Sequence, residues 1–245
     1  YGALAVDTRY ALTQGSPEAR VLAPKPRVRL AAAPAPAEKA AQVRVPLVEK
    51  LPLGALGIPG LDAPARTLGD LAGGPVLVNL WSTTCGPCLK EFAAWKERRK
   101  ELDAAGVRLV TLGTDLSEKR ADALAILERN GLTKDAGLAD ERFLAAFEVL
   151  LTEVLDAQKA LPLPTSFLVD PQGRMVVLYV GPLEVDVLLA DLATLAKMDP
   201  KPTNNARLLG GIRMITRTRD YPALADRFKV IRRDDLARCK RACRA

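Results

Sequence analysis

Two cysteines separated by two residues, Cys85 and Cys88, constrain the fold of this chain more than any other feature, because of what flanks them. Ahead of them runs Val76–Trp81, an almost continuously apolar stretch of the kind expected of a parallel strand covered on both faces. Behind them Cys88, Phe92, Trp95 and Leu102 recur on one side of an amphipathic helix, expected over roughly 88–105. The sulfurs therefore sit at a strand-to-helix junction.

The first turn of a helix has unpaired N–H groups and the positive end of the helix dipole, and both favour a thiolate over a thiol. Cys85 is expected to be the acidic, exposed sulfur and Cys88 the resolving one. Two intervening residues let the second sulfur fold back within bonding distance of the first, and Pro87 has a fixed φ suited to a helix start. Two other readings stand beside this one: a pair of ordinary buried cysteines, and half of a zinc site. Zinc usually needs a second ligand pair, and the chain has no histidine. Neither a metal nor a cofactor is assigned.

The run Trp-Ser-Thr-Thr-Cys-Gly-Pro-Cys-Leu-Lys-Glu-Phe, residues 81–92, resembles the active-site run of the thioredoxin superfamily. It is most similar to the TlpA/ResA-like thiol-disulfide oxidoreductases, whose pattern is Trp-Ala-x-Trp-Cys-x-Pro-Cys-x-x-Glu. Glu91 falls on the acidic position of that pattern, and Thr84 stands where an aromatic usually does. A second matching piece is Pro164-Thr165-Ser166-Phe167, about 75 residues on and in the right order. The resemblance implies that Pro164 is cis and lies against the cysteine pair, leaving the backbone before it to pair with a substrate. Trp81, Thr84, Gly86, Pro87, Leu163 and Thr165, which flank the two motifs, form the expected substrate-contacting set.

The rest of the chain is organised around these motifs. Residues 1–50, with Ala-Pro-Ala-Pro and no sustained period, read as a linker or N-terminal extension, although Val43-Arg44-Val45 would permit an edge strand. Residues 51–197 are expected to form the thioredoxin-like α/β domain, a central mixed sheet flanked by helices. Its further elements are a strand over Val107–Gly113, a helix capped by Ser117 and stopped at Gly131, and a helix capped by Asp140 with an insertion near 150–160. A hairpin turning at Pro171-Gln172-Gly173 and a closing helix over roughly 184–197 complete it. Residues 198–245 read as a basic helical appendage whose removal would leave the domain folded, and Cys239 and Cys243 within it share one face of a helix.

Composition narrows the function classes. The net charge of +7 comes from basic residues spread out until the last fifty positions, with no reading helix or aromatic stacking pattern beside them, so nucleic acid is not an expected partner. Absence of histidine removes haem attachment of the Cys-x-x-Cys-His kind, histidine-based triads and histidine pH switches. Acid–base work must fall to carboxylates, lysines or thiols.

The function expected is dithiol-disulfide exchange through Cys85 and Cys88, with Glu91 tuning their protonation and taking the Cys88 proton. The expected partners are a protein thiol or disulfide substrate and an electron-donor thiol protein, in an extracytoplasmic setting, with an upstream domain or membrane anchor outside this sequence. The Gly-Pro pair between the cysteines resembles the reducing members of the family. The rival expectation is a thioredoxin-fold binding module of a larger protein whose Cys85–Cys88 disulfide is structural.

Overall fold

The computed structural model describes residues 42–61, 64–115, 117–155, 162–198 and 221–230. All belong to one compact unit, Lys39–Ala245. The expectations for residues 1–41, for residues 199–220 and 231–245 of the basic appendage and for Cys239 and Cys243 fall outside the described residues.

Six strands make the main sheet: β1 (Val43–Pro52), β4 (Val76–Trp81), β5 (Arg108–Gly113), β6 (Ala136–Leu138), β7 (Thr165–Val169) and β8 (Arg174–Val180). Between β1 and β4 lie the short antiparallel pair β2 (Gly57–Ile58) and β3 (Arg66–Thr67). The order across the main sheet is β1-β8-β7-β4-β5-β6; β4, β5 and β6 run parallel, and β7, β8 and β1 are joined antiparallel. This is the mixed sheet that the resemblance implied. The strand at Val43–Pro52 pairs along β8, so the sheet takes its edge from residues ahead of the boundary expected at 50.

Alternation along β4 divides the core in two. Val76, Val78 and Leu80 join one cluster with α4 (Glu141–Leu155) through Phe143, Phe147, Leu150 and Leu151. Leu77 and Trp81 join the other, with Phe92 and Trp95 of α1 (Gly86–Glu97), Leu102 of α2 (Arg99–Ala104), Leu127 of α3 (Arg120–Asn130) and Leu188 and Leu192 of α5 (Val185–Leu195). Each large side chain buried this completely contributes roughly 2 kcal/mol against an exposed one. Asn79 belongs by alternation with Leu77 and Trp81, so a polar side chain faces α1.

The helix expected over 88–105 begins two residues earlier and breaks at Arg98, whose φ of −103° and ψ of 25° end α1 and start α2. No glycine or proline marks the break; Arg98 instead binds Glu101 at 2.6 Å and Asp186 at 2.5 Å. The cap signals are met elsewhere: Asp140 Oδ1 accepts the Phe143 N–H at 2.7 Å, and Gly131 ends α3 with a φ of 66° that a side chain would oppose. Ser117 does not cap α3 as expected: it opens a short 3-10 turn, Ser117–Lys119, and α3 starts from Lys119 with no side-chain cap. The last helix among the described residues, α6 (Tyr221–Val230), buries Leu224, Ala225 and Phe228 in the cluster of α4. That cluster therefore draws on residues beyond the division expected at 197.

Candidate active site

The topology brings four segments to one end of the sheet. β4 runs into the Cys85 loop and β5 into Thr114 and Asp115; Thr165, opposite both Leu80 and Val180, starts β7 just after Pro164, and β8 leads out to Gly181–Leu183. Active-site residues of open α/β sheets collect at this carboxyl end of the parallel strands.

Cys85 caps α1 with an extended backbone, φ −83° and ψ 94°, and its Sγ accepts the Cys88 N–H at 3.3 Å. Pro87 occupies the first turn, where its missing N–H costs no helical hydrogen bond. The two sulfurs are bonded, with an S–S distance of 1.97 Å. Their surroundings differ: Cys85 is half-buried between exposed Thr84, Gly86 and Pro87, whereas Cys88 is fully buried against Phe92 and Trp95. A disulfide or thiolate arriving from solvent meets Cys85 first.

The loop is fastened from below. Thr83 N–H and Oγ1 donate to the two oxygens of Asp115 at 2.7 and 3.0 Å, and Thr114 donates through N–H and Oγ1 to the carbonyl of Trp81 at 2.8 and 3.1 Å. The Leu163–Pro164 bond is cis, Pro164 is buried, and its carbonyl accepts the Gly181 N–H at 2.9 Å. Leu163 is half-buried and touches both core clusters. Within the expected substrate-contacting set, Thr84, Gly86 and Pro87 are exposed, while Trp81 and Thr165 are fully buried. Trp81 packs edge-on to Phe92 with ring centres 5.0 Å apart, and Thr165 Oγ1 donates to the Pro162 carbonyl at 2.6 Å. Those two shape the floor of the site.

Glu91 lies one helical turn beyond Cys88, on the same buried face, and is only 4% exposed. Its Oε1 accepts the Leu183 N–H and its Oε2 the Asn79 Nδ2–H, both at 2.8 Å. Burial pushes its carboxyl up to about 8, although the Leu183 and Asn79 hydrogen bonds pull the other way. A group that titrates near neutrality is thus present without histidine, made from a glutamate by desolvation.

Asn79, Ser166 and Asp115 escaped the sequence reading. Asn79 Nδ2 also donates to Ser166 Oγ at 2.9 Å, so β4 and β7 are bridged beneath the cysteines to Glu91. The signal for Asn79 was there: one amide inside a run otherwise built to be covered on both faces needs a buried partner. Nothing comparable pointed to Asp115, whose role depends on where β5 ends beside the Cys85 loop.

Comparison with known proteins bears on this geometry. The AhpC/TSA family model matches residues 55–178, just over half of the chain, spanning the cysteine pair and the cis-proline strand. The chain belongs to the AhpC/TSA family. Among relatives, the thiol-disulfide oxidoreductase ResA of Bacillus subtilis is 30% identical over 130 residues, which is 53% of this chain and 65% of the relative. A ResA of Bacillus cereus is 31% identical over 121 residues, 49% of this chain and 63% of that one. The chain therefore spans less than two thirds of the length of either relative. A secreted thiol-disulfide isomerase from Corynebacterium glutamicum superimposes with a TM-score of 0.50 at 22% identity, over 64% of this chain and 92% of that one, which shows the thioredoxin-like fold. For this AhpC/TSA member the fold implied by the two motifs is the fold observed.

Proposed function

We propose that this chain is a thiol-disulfide oxidoreductase that reduces protein disulfides through Cys85 and Cys88. The observation that carries the reading is the asymmetry of the pair: one sulfur half-exposed at a helix start, the other buried beside a carboxyl that titrates near neutrality. Two sulfurs serving only to staple a fold have no need of an exposed member. In the dithiol form the Cys85 thiolate attacks one sulfur of a substrate disulfide; that bond breaks, a mixed disulfide forms, and the first substrate thiolate leaves. The Cys88 thiol passes its proton to the Glu91 carboxylate and attacks the Cys85 sulfur. The second substrate thiolate leaves, and two electrons have moved from the protein to the substrate. An electron-donor thiol protein then restores the dithiol.

Thr84, Gly86, Pro87 and Leu163 are the residues we assign to substrate contact, with Trp81, Pro164 and Thr165 supporting them. An extracytoplasmic setting and a redox domain that takes in β1 and α6 as well as residues 51–197 complete the reading. The test is the rate at which the protein accelerates reduction of a model protein disulfide by dithiothreitol. The reading requires acceleration that Cys85→Ser abolishes; equal rates with wild type, Cys85→Ser and no protein would defeat it.

A further inference from the structure

Asn79 holds an arrangement that the exchange reaction does not use. Its Nδ2 donates to Glu91 Oε2 and to Ser166 Oγ, while its Oδ1 is buried with no hydrogen-bond partner among the described residues. A buried amide oxygen left without a donor is costly, and a structure that keeps one invites a functional account. We infer that Asn79 is a two-position switch, presenting Nδ2 to the Glu91 carboxylate and Oδ1 to the Glu91 carboxylic acid, and that Ser166 passes the change to the strand behind cis-Pro164. The inference rests on the proposed function for its purpose, though not for its geometry.

Donors and acceptors decide which way the amide faces. A carboxylate accepts only, and both oxygens of Glu91 face donors: the Leu183 N–H and the Asn79 amide. A carboxylic acid has a proton to place, and in a buried site that proton needs an acceptor. The Leu183 N–H is backbone and cannot reverse, so Oε1 stays the acceptor and the proton belongs on Oε2. There it meets Nδ2, donor against donor. Turning the Asn79 amide by half a revolution places Oδ1 opposite Oε2, where it accepts the Glu91 hydroxyl. Ser166 Oγ, donor and acceptor alike, reverses its hydroxyl and donates to the same Oδ1. Each arrangement keeps two hydrogen bonds at the amide, donated by Nδ2 in the first and accepted by Oδ1 in the second, and leaves the opposite end of the amide without a partner.

The groups around Glu91 leave the amide in charge of this balance. From its own helix the Cys88 sulfur shares its face; from β4 comes Asn79, from β7 Ser166, and from the loop after β8 the Leu183 N–H. None of these carries a charge in the disulfide form. Ser166 follows Thr165 and Pro164, the buried residues that support Leu163, which is assigned to meet a substrate. Protonation of Glu91 during resolution would thereby be felt by that segment as a reversed hydroxyl, and substrate seated there would bias where the proton rests. Asn79 and Ser166 act through Glu91 and are positioning residues.

The test is a pH titration of the full chain in its disulfide form, where neither Cys85 nor Cys88 titrates, followed by heteronuclear NMR of the Asn79 side-chain amide and the Thr165 and Ser166 backbone amides. In the wild type the Asn79 signal should move between two limits with the Glu91 midpoint, about 8, and the β7 amides should follow. Glu91→Gln puts a fixed NH2 donor where Oε2 stood, so Asn79 should stay near its low-pH limit at every pH. In Ser166→Ala the Asn79 signal should still move while the β7 response is lost. An Asn79 signal indifferent to Glu91 titration, or one held at the high-pH limit in Glu91→Gln, overturns the switch. Should Glu91→Gln not fold, the wild-type and Ser166→Ala titrations decide alone. No substrate enters these measurements, so a protein inactive towards disulfides would sink the proposed function and leave this inference standing or falling on its own data.

Discussion

Glu91 shows how burial rewrites a residue whose sequence reading was only an acidic position near a cysteine. Its ordinary value is 4.5 and its folded value about 8, with desolvation the largest cause. Below pH 4.5 both folded and unfolded chains carry the proton, and Glu91 neither adds to nor subtracts from stability. As the pH climbs towards 8 the unfolded chain ionises first, so the folded state loses stability, on the order of 4 kcal/mol across the window, and the loss then levels off. Urea unfolding from about pH 4 to about pH 9 should show that slope in the wild type and its absence in Glu91→Gln. Parallel pH profiles for the two proteins would mean that Glu91 is not held as a buried acid. A second residue-scale expectation concerns Asp115: Asp115→Ala frees Thr83 and the loop that carries Cys85. Disulfide reduction should slow by roughly tenfold with little loss of stability, since Asp115 positions and does not react. An unchanged rate would remove Asp115 from the site.

At the scale of elements, the pieces that sequence made legible are those whose period is undisturbed by distant contacts. β4, with its apolar run broken only by Asn79, and α1, with Phe92 and Trp95 a turn apart, are set by local pattern, and the hairpin at Pro171-Gln172-Gly173 by turn chemistry. The break at Arg98 was not legible because its distant partner, Asp186 on α5, meets it only after folding. The long edge strand β1 was glimpsed only at Val43-Arg44-Val45, because charged pairs help to pin it. Arg44 donates to both oxygens of Asp191 on α5, Tyr179 Oη donates to Asp191 Oδ2 at 2.6 Å, and Lys50 lies 3.3 Å from buried Asp170. Burial beside the Asp191 carboxylate holds the Tyr179 phenol far above its usual range. Asp191→Ala leaves a guanidinium and a phenol without their acceptor and should cost about 3 kcal/mol in chemical denaturation. Tyr179→Phe, which removes one donor, should cost about 1 kcal/mol. Equal costs would show that Asp191 acts through its volume and not through the pair with Arg44.

For the whole molecule, the sequence divided the chain by motif, whereas burial divides it by cluster. The resemblance stops near residue 197, yet Leu224, Ala225 and Phe228 complete the apolar cluster of Phe143, Phe147 and Leu150. The inward positions of α6, Leu224, Ala225 and Phe228, are few and are interrupted by Asp226 and Arg227, which is why it read as an appendage. A chain ending at Lys197 should keep its cysteine site and still unfold in one cooperative step, but at lower denaturant, with Phe228→Ala alone costing about 3 kcal/mol. A truncated chain as stable as the full one would place α6 outside the folding unit. What ties residue, element and molecule together is the claim that the sheet end presents Cys85 to a substrate and keeps Cys88 beneath it. The most direct measurement is to isolate disulfide-linked complexes formed by Cys88→Ser and by Cys85→Ser under the same conditions and to map the linked cysteine. The division of labour predicts that Cys88→Ser accumulates a mixed disulfide through Cys85 while Cys85→Ser traps almost nothing; equal trapping by the two variants, or none by either, would contradict it.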